Sequence, residues 1–217
     1  MTIRVAHLYY DLMNLYGEIG NLKVIEYQLK KQKINVIIDK LSLNDKIEFE
    51  KYDLIYMGSG TKKSTLLVLE DLKKYKKQLK EYIENNKFML VTGNSINVFS
   101  KKIGNTEALN IFACNISYSN TRLVGDVILD NIIGFQNRDT LIENNNNPIF
   151  NNSEIGIHYK NFYGTYIIGP LLIRNPSFSQ KFIKNLIISK KNDFKFRKFD
   201  FEIDKKASKS YVETYYN

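Results

Sequence analysis

Two glycine-bearing junctions carry the residue types that chemistry at a strand end needs. Gly58-Ser59-Gly60 follows an apolar run ending at Met57, and Thr92-Gly93-Asn94 follows Phe88-Met89-Leu90-Val91. Loops leaving the strands of an open α/β sheet expose backbone N–H groups at helix N-termini, where negative charge is stabilised. Gly93 allows a sharp strand-to-helix turn that would present Thr92 in the manner of a nucleophile elbow. The N–H groups around Gly58, Gly60 and Gly93 would then be available to hold an oxyanion. A glycine that merely turns the chain has the same spacing. A threonine hydroxyl is also a poor nucleophile without a base beside it. His7 ends an apolar run and His158 lies in Ile155–Tyr159 without an identifiable partner, so packing is the expected role of the first and a substitute base the weaker option for the second. Cys114, within Ile111-Phe112-Ala113-Cys114-Asn115-Ile116, has no elbow glycine and reads as a buried structural thiol. One cysteine allows neither an intramolecular disulfide nor a cysteine-based metal site, and no cofactor or metal is expected.

The elements that must position these junctions alternate in the first half. Ile3–Leu8, Asn35–Ile38, Asp53–Met57 and Phe88–Val91 read as strands. Asn21–Gln32, with Leu22, Ile25 and Leu29 on one face, reads as a helix. A second helix is predicted as one piece from Ser64, its N-cap, to Asn86, and a third begins at Asn94–Ser100. Strands alternating with helices, and runs buried on both faces, point to a doubly wound, mostly parallel α/β sheet. In the second half Ile111–Ser117, Val124–Leu129, Ile132–Phe135, Ile155–Tyr159 and Tyr163–Ile168 read as strands without intervening helices, hence antiparallel additions to that sheet. Asn144–Asn147 reads as an exposed loop, and Asn175-Pro176 as the cap and first turn of a last helix. Residues 190–217, basic and aromatic, read as an extension of the 1–189 domain, either an edge strand or a partner-binding segment.

Composition narrows the class further. Of 217 residues, 43% are hydrophobic, enough for one sizeable core, and no run approaches the roughly 20 apolar residues of a membrane helix. Arg4 and His7 interrupt the apolar N-terminus, which is expected to be a first strand in a cytoplasmic protein rather than a leader. The net charge of +9 raises nucleic-acid binding, but the lysines are dispersed, and around Lys73–Lys80 they face away from the stripe Leu69, Leu72, Leu79 and Ile83. No nucleic-acid partner is therefore expected.

Two segments go beyond general pattern. His7-Leu8-Tyr9-Tyr10-Asp11-Leu12-Met13-Asn14-Leu15-Tyr16-Gly17-Glu18-Ile19-Gly20-Asn21 and Gly164-Thr165-Tyr166-Ile167-Ile168-Gly169-Pro170-Leu171-Leu172-Ile173-Arg174-Asn175-Pro176 closely resemble the glutaminase subunit family of lipid II isoglutaminyl synthase. This is a class I glutamine amidotransferase family related to the cobyric acid synthase glutaminase domain. Weaker matches at Tyr52-Asp53-Leu54, Arg122 with Gly125, and Gly134-Phe135-Gln136-Asn137 extend the resemblance over roughly residues 5 to 188 in order and spacing. The resemblance implies hydrolysis of glutamine by a cysteine at the elbow and a histidine on a later strand. It also implies transfer of the ammonia to a Mur-ligase-like, ATP-dependent partner that amidates the lipid II stem peptide.

At the decisive positions the sequence departs from that family. Thr92-Gly93-Asn94 stands where the family has Cys-Gly-Gly, and Ile168 where it has the histidine. Thr61-Lys62 replaces Gln-Asp after the glycine loop, while Gln136 and Arg138 replace Glu and His. Arg122 matches the arginine the family uses near its glutamine pocket. Loss of nucleophile or base alone costs about 10⁶-fold in a serine hydrolase, and here both are substituted. The expected function is a catalytically degenerate, amidotransferase-like subunit of a heterodimer in peptidoglycan synthesis. The alternatives are a glutamine hydrolase with rearranged residues, using Thr92 or His158, and a binding module for glutamine or another amino acid through Arg122 and the Gly58–Gly60 loop.

Overall fold

Alternate residues of the central strands face two different cores, and this period-two pattern sets the architecture. The computed structural model describes residues 1–129 and 131–216. Its strands are β1 (Thr2–Leu8), β2 (Asn35–Leu41), β3 (Leu54–Met57), β4 (Phe88–Thr92), β5 (Lys102–Ile103), β6 (Thr106–Glu107), β7 (Asn115–Leu129), β8 (Ile132–Glu143), β9 (Pro148–Ile149), β10 (Asn152–Tyr159) and β11 (Phe162–Thr165). The helices are α1 (Ile19–Lys31), α2 (Lys62–Lys73), α3 (Lys76–Glu84), α4 (Leu171–Arg174), α5 (Pro176–Lys190) and α6 (Glu202–Tyr215). A seven-stranded sheet runs β2-β1-β3-β4-β11-β10-β9, parallel from β2 to β11 and antiparallel beyond. On β3 and β4, Ile55, Met57, Met89 and Val91 face the core built with α2 and α3. Leu54, Tyr56, Phe88 and Leu90 face the one built with α1, α4 and α5. Thr92 continues the Phe88–Leu90 series, so its side chain emerges on the α1 face beside Tyr56.

The doubly wound, mostly parallel sheet is the expected one, and several of its parts differ from expectation. The predicted helix from Ser64 is two helices, broken at Lys74–Tyr75, and its cap is Thr61, whose side-chain oxygen accepts from Ser64 N–H at 3.0 Å. Lys74 Nζ folds back onto the buried Asp71 at 2.7 Å, and Tyr75 reaches the Asp45 carbonyl at 3.1 Å. The stretch after Thr92 is a 3₁₀ turn, Gly93–Phe99, rather than the start of an α-helix.

The short strands expected between Ile111 and Phe135 are the arms of one long hairpin, β7 and β8. With β5 and β6 they form a separate four-stranded sheet instead of extending the main one. β11 ends at Thr165, so Ile168 lies past the strand, joined to Phe135 by an isolated antiparallel bridge. Asn175 precedes α5 as expected, but its side chain clamps both backbone groups of Ile133 at 2.8 and 2.7 Å rather than capping the helix.

The segment after α5 forms no strand among its described residues. Phe194, Phe196, Phe199 and Phe201 pack on the α1–α5 core, and the helix α6 follows. Two buried glutamines one turn apart, Gln28 on α1 and Gln32 at its C-cap, hold this segment by both backbone groups. Gln28 donates to Asp200 O at 2.5 Å and accepts from Asp200 N–H at 3.2 Å. Gln32 does the same with Arg197 at 3.1 and 2.8 Å. No helix is long and apolar enough to cross a membrane among the described residues.

Candidate functional site

The two glycine junctions meet at the C-terminal ends of β3 and β4, as parallel pairing of Met57 with Val91 requires. Gly93 has φ +66, and a Cβ there would collide with the Ser59 side chain and lie 3.1 Å from Ile168 Cγ2. Only glycine therefore fits a turn that carries Thr92, the Ser59 loop and Ile168 in contact. Thr92 and Ile168, the two positions singled out from sequence, are thus neighbours around one turn, both buried.

A residue that sequence reasoning passed over dominates this point. Glu18, at the N-cap position of α1 and fully buried, accepts from Gly169 N–H at 2.8 Å, from Asn21 at 3.2 Å and from the Thr92 hydroxyl. Tyr56 donates to the Glu18 main-chain carbonyl at 2.8 Å and lies 3.3 Å from the Thr92 hydroxyl. Asn21 ties this network to Leu172 N–H at 2.8 Å. Burial raises the Glu18 carboxyl to about 7, against the lowering effect of its hydrogen-bond donors, Thr92 first. A carboxylate near neutrality against a hydroxyl is a base in reach of a nucleophile in purely local terms. The signal in sequence was a carboxylate inside the Gly17–Asn21 segment, with nothing to show that it points inward.

Access to that pair is closed. Asn94 accepts the Gly60 N–H at 3.0 Å and the Ser59 hydroxyl at 3.2 Å, and its amide donates to Gly60 O at 2.6 Å. The Ser95 hydroxyl donates to Gly58 O. The Gly60 amide, one of the expected oxyanion donors, is therefore already spent on a side chain. Gly58 and Gly60 press against Met13, which leaves no room for a Cβ at either.

Beyond Asn94 opens a cleft of about 260 Å³, lined among others by Tyr16, Gly60, Lys62, Asn94, Arg122 and Arg138. Thr92, Gly93 and Ile168 are not among its lining residues. Arg122 is exposed on the rim, its Nε donating to Asn137 Oδ1 at 2.5 Å. Arg138, buried, lies over the Tyr166 ring at 4.4 Å and donates from Nε to Gln136 at 3.0 Å.

The other candidates lie elsewhere. His158 stacks on Tyr163 with ring centroids 4.5 Å apart and lines a different cleft with Phe150, Phe178 and Phe182. Cys114 is buried, and desolvation pushes its thiol up to about 11, the opposite of a reactive cysteine. His7 is buried against Tyr56, with ring centroids 5.3 Å apart, and neither ring nitrogen has a hydrogen-bond partner among the described residues.

Sheet order, elbow position and flanking glycine loop together define an amidotransferase-type α/β domain. The CobB/CobQ-like glutamine amidotransferase domain matches residues 4–176, and the chain belongs to that family. Among named relatives, the lipid II isoglutaminyl synthase (glutamine-hydrolyzing) subunit GatD of Streptococcus pneumoniae is 28% identical over 87% of this chain and 82% of its own length. The subunit of the same name from Staphylococcus aureus is 26% identical over 97% of this chain and 95% of its own. A glutamine amidotransferase of Thermotoga maritima superposes with a TM-score of 0.51 at 12% identity, covering 96% of this chain and 92% of that one, which supports the fold.

Proposed function

We propose that this chain is a glutamine amidotransferase-like subunit that docks a Mur-ligase-like, ATP-dependent partner in amidation of the lipid II stem peptide, and that it does not itself hydrolyse glutamine. The observation that carries the reading is the closed elbow. The Thr92 hydroxyl is turned onto the buried Glu18, the base position holds Ile168, and Asn94 occupies the Gly60 amide. An acyl transfer needs a free nucleophile, a proton acceptor and a free oxyanion donor at one accessible point. The similarity to synthase subunits over nearly the whole chain supports a retained place in such a complex. Glutamate release from glutamine, measured with the chain co-purified with its Mur-ligase-like partner, tests both halves. A stable complex without release is the expected outcome, and release at an ordinary amidotransferase rate overturns it.

The Thr92–Glu18 contact favours one alternative specifically, a hydroxyl nucleophile served by a carboxylate base. On that reading Glu18→Gln and Thr92→Ala each abolish glutamine turnover. Turnover unchanged in both rejects it.

A further inference from the structure

The cleft beside the closed elbow gathers three cations, Lys62, Arg122 and Arg138, against one carboxylate, Asp139, more positive charge than the single carboxylate of glutamine would balance. Arg138, 5% exposed, has no carboxylate within 4 Å among the described residues. Its Nε is held by Gln136, one terminal nitrogen by the Thr140 carbonyl, and the other has no protein partner among the described residues. The guanidinium is otherwise stacked on the Tyr166 ring, and an anion in the cleft would give its remaining nitrogen a charge-assisted partner. Burial lowers its pKa from the ordinary arginine value, and Tyr166 and the more distant Glu154 oppose that shift only in part.

A second donor group faces the same space. Thr61 and Lys62, at the start of the twelve-residue α2, line the cleft, and Thr61 caps only Ser64. The amide of Lys62 in that first turn is left without a partner among the described residues, at the positive end of the helix dipole. Lys62 Nζ, over the Tyr118 ring at 3.7 Å, and Arg122 add two further cations, against one lining carboxylate, Asp139.

We propose that this cleft binds a compact, doubly charged oxyanion of the phosphate type, held by Arg138, Arg122 and the side chain and first-turn amide of Lys62. Its volume of about 260 Å³ falls below the roughly 300–1,000 Å³ of sites for drug-sized ligands, so the ligand is small. Free phosphate and a small phosphate monoester share this chemistry. The inference rests on the reading that the cleft no longer serves glutamine turnover.

Titration calorimetry of the full chain at low ionic strength, with inorganic phosphate, O-phospho-L-serine and L-glutamine as probes, tests it. Heat from a phosphate probe is expected, with affinity at least about tenfold above that for L-glutamine, as expected where charge-assisted bonds decide. Lys62→Glu reverses an exposed charge without touching the core and weakens phosphate binding about tenfold, while Arg138→Gln, checked for folding by circular dichroism, removes it. Equal affinity for the two phosphate probes supports free phosphate, and tighter O-phospho-L-serine supports an ester. No heat from either, L-glutamine binding as tightly as phosphate, or an unchanged Lys62→Glu titration each overturns the inference. The two readings fail separately, because glutamate release by the wild-type chain overturns the proposed function, whereas a missing phosphate heat overturns only this one.

Discussion

Asn94 does at the elbow what a substrate carbonyl would otherwise do, since its side-chain oxygen accepts the Gly60 N–H at 3.0 Å. Restoring chemistry therefore takes more than a nucleophile and a base. A Thr92→Cys/Ile168→His variant is expected to release glutamate slowly, and adding Asn94→Gly to raise that rate about 10²–10³-fold, the usual worth of one oxyanion donor. Equal rates in the double and triple variants would show that the Gly60 amide is not the missing donor. Tyr56→Phe removes a fully buried hydroxyl that donates to the Glu18 carbonyl and accepts from Asn21 Nδ2 at 3.1 Å, at a cost of about 1–3 kcal/mol in urea unfolding. An unchanged midpoint would mean that water replaces the hydroxyl. The sequence shows Thr92 and Ile168 as exceptional because each departs from the pattern of the family it resembles. It cannot show that Asn94 folds back on Gly60 or that Glu18 turns inward, since a polar residue in a loop reads the same whether it faces solvent or a neighbouring strand.

Among the elements, the strands of the first half were readable because each is an apolar run closed by a turn. The break between α2 and α3 was not, because Leu72-Lys73-Lys74-Tyr75-Lys76 contains neither Gly nor Pro and keeps the apolar spacing on both sides. The hairpin β7–β8 was seen only in fragments, since much of it is exposed and its pairing slips between Tyr118 and Leu123. The tail was least readable. Gln28 and Gln32 look like solvent residues on a helix, yet they are 1% and 2% exposed because their amides substitute for a neighbouring strand. Gln32→Ala strands two backbone groups of Arg197 and is expected to cost about 1–2 kcal/mol and to speed proteolysis after α5. Protease digestion at the wild-type rate would mean that the phenylalanines alone hold the segment.

For the molecule as a whole, two buried titratable groups bend stability in opposite directions. Burial lowers His7 to about 4, with Lys40 lowering and Asp11 raising it, so the unfolded chain takes up a proton first and stability falls as pH drops from 6.5 towards 4. Glu18 is raised to about 7, so the unfolded chain loses its proton first and stability falls as pH climbs from 4.5 to 7. Each contribution amounts to about 3 kcal/mol, and over pH 4.5–6.5 they oppose one another. Glu18→Gln is expected to expose a stability that rises with pH through 4–6.5, and His7→Phe one that falls through 4.5–7, both read from urea midpoints. A profile of the same shape in wild type and both variants would refute the pairing.

The glutamine clasp on α1 joins residues 165 and 172 positions apart. During synthesis, α1 emerges early, with two side-chain amides that have nothing to hold until the chain near residue 200 has left the ribosome. Closing the clasp thus reports that translation has passed that point, and a prematurely stopped product would show bare glutamines and an uncovered apolar face to the cell's quality-control machinery.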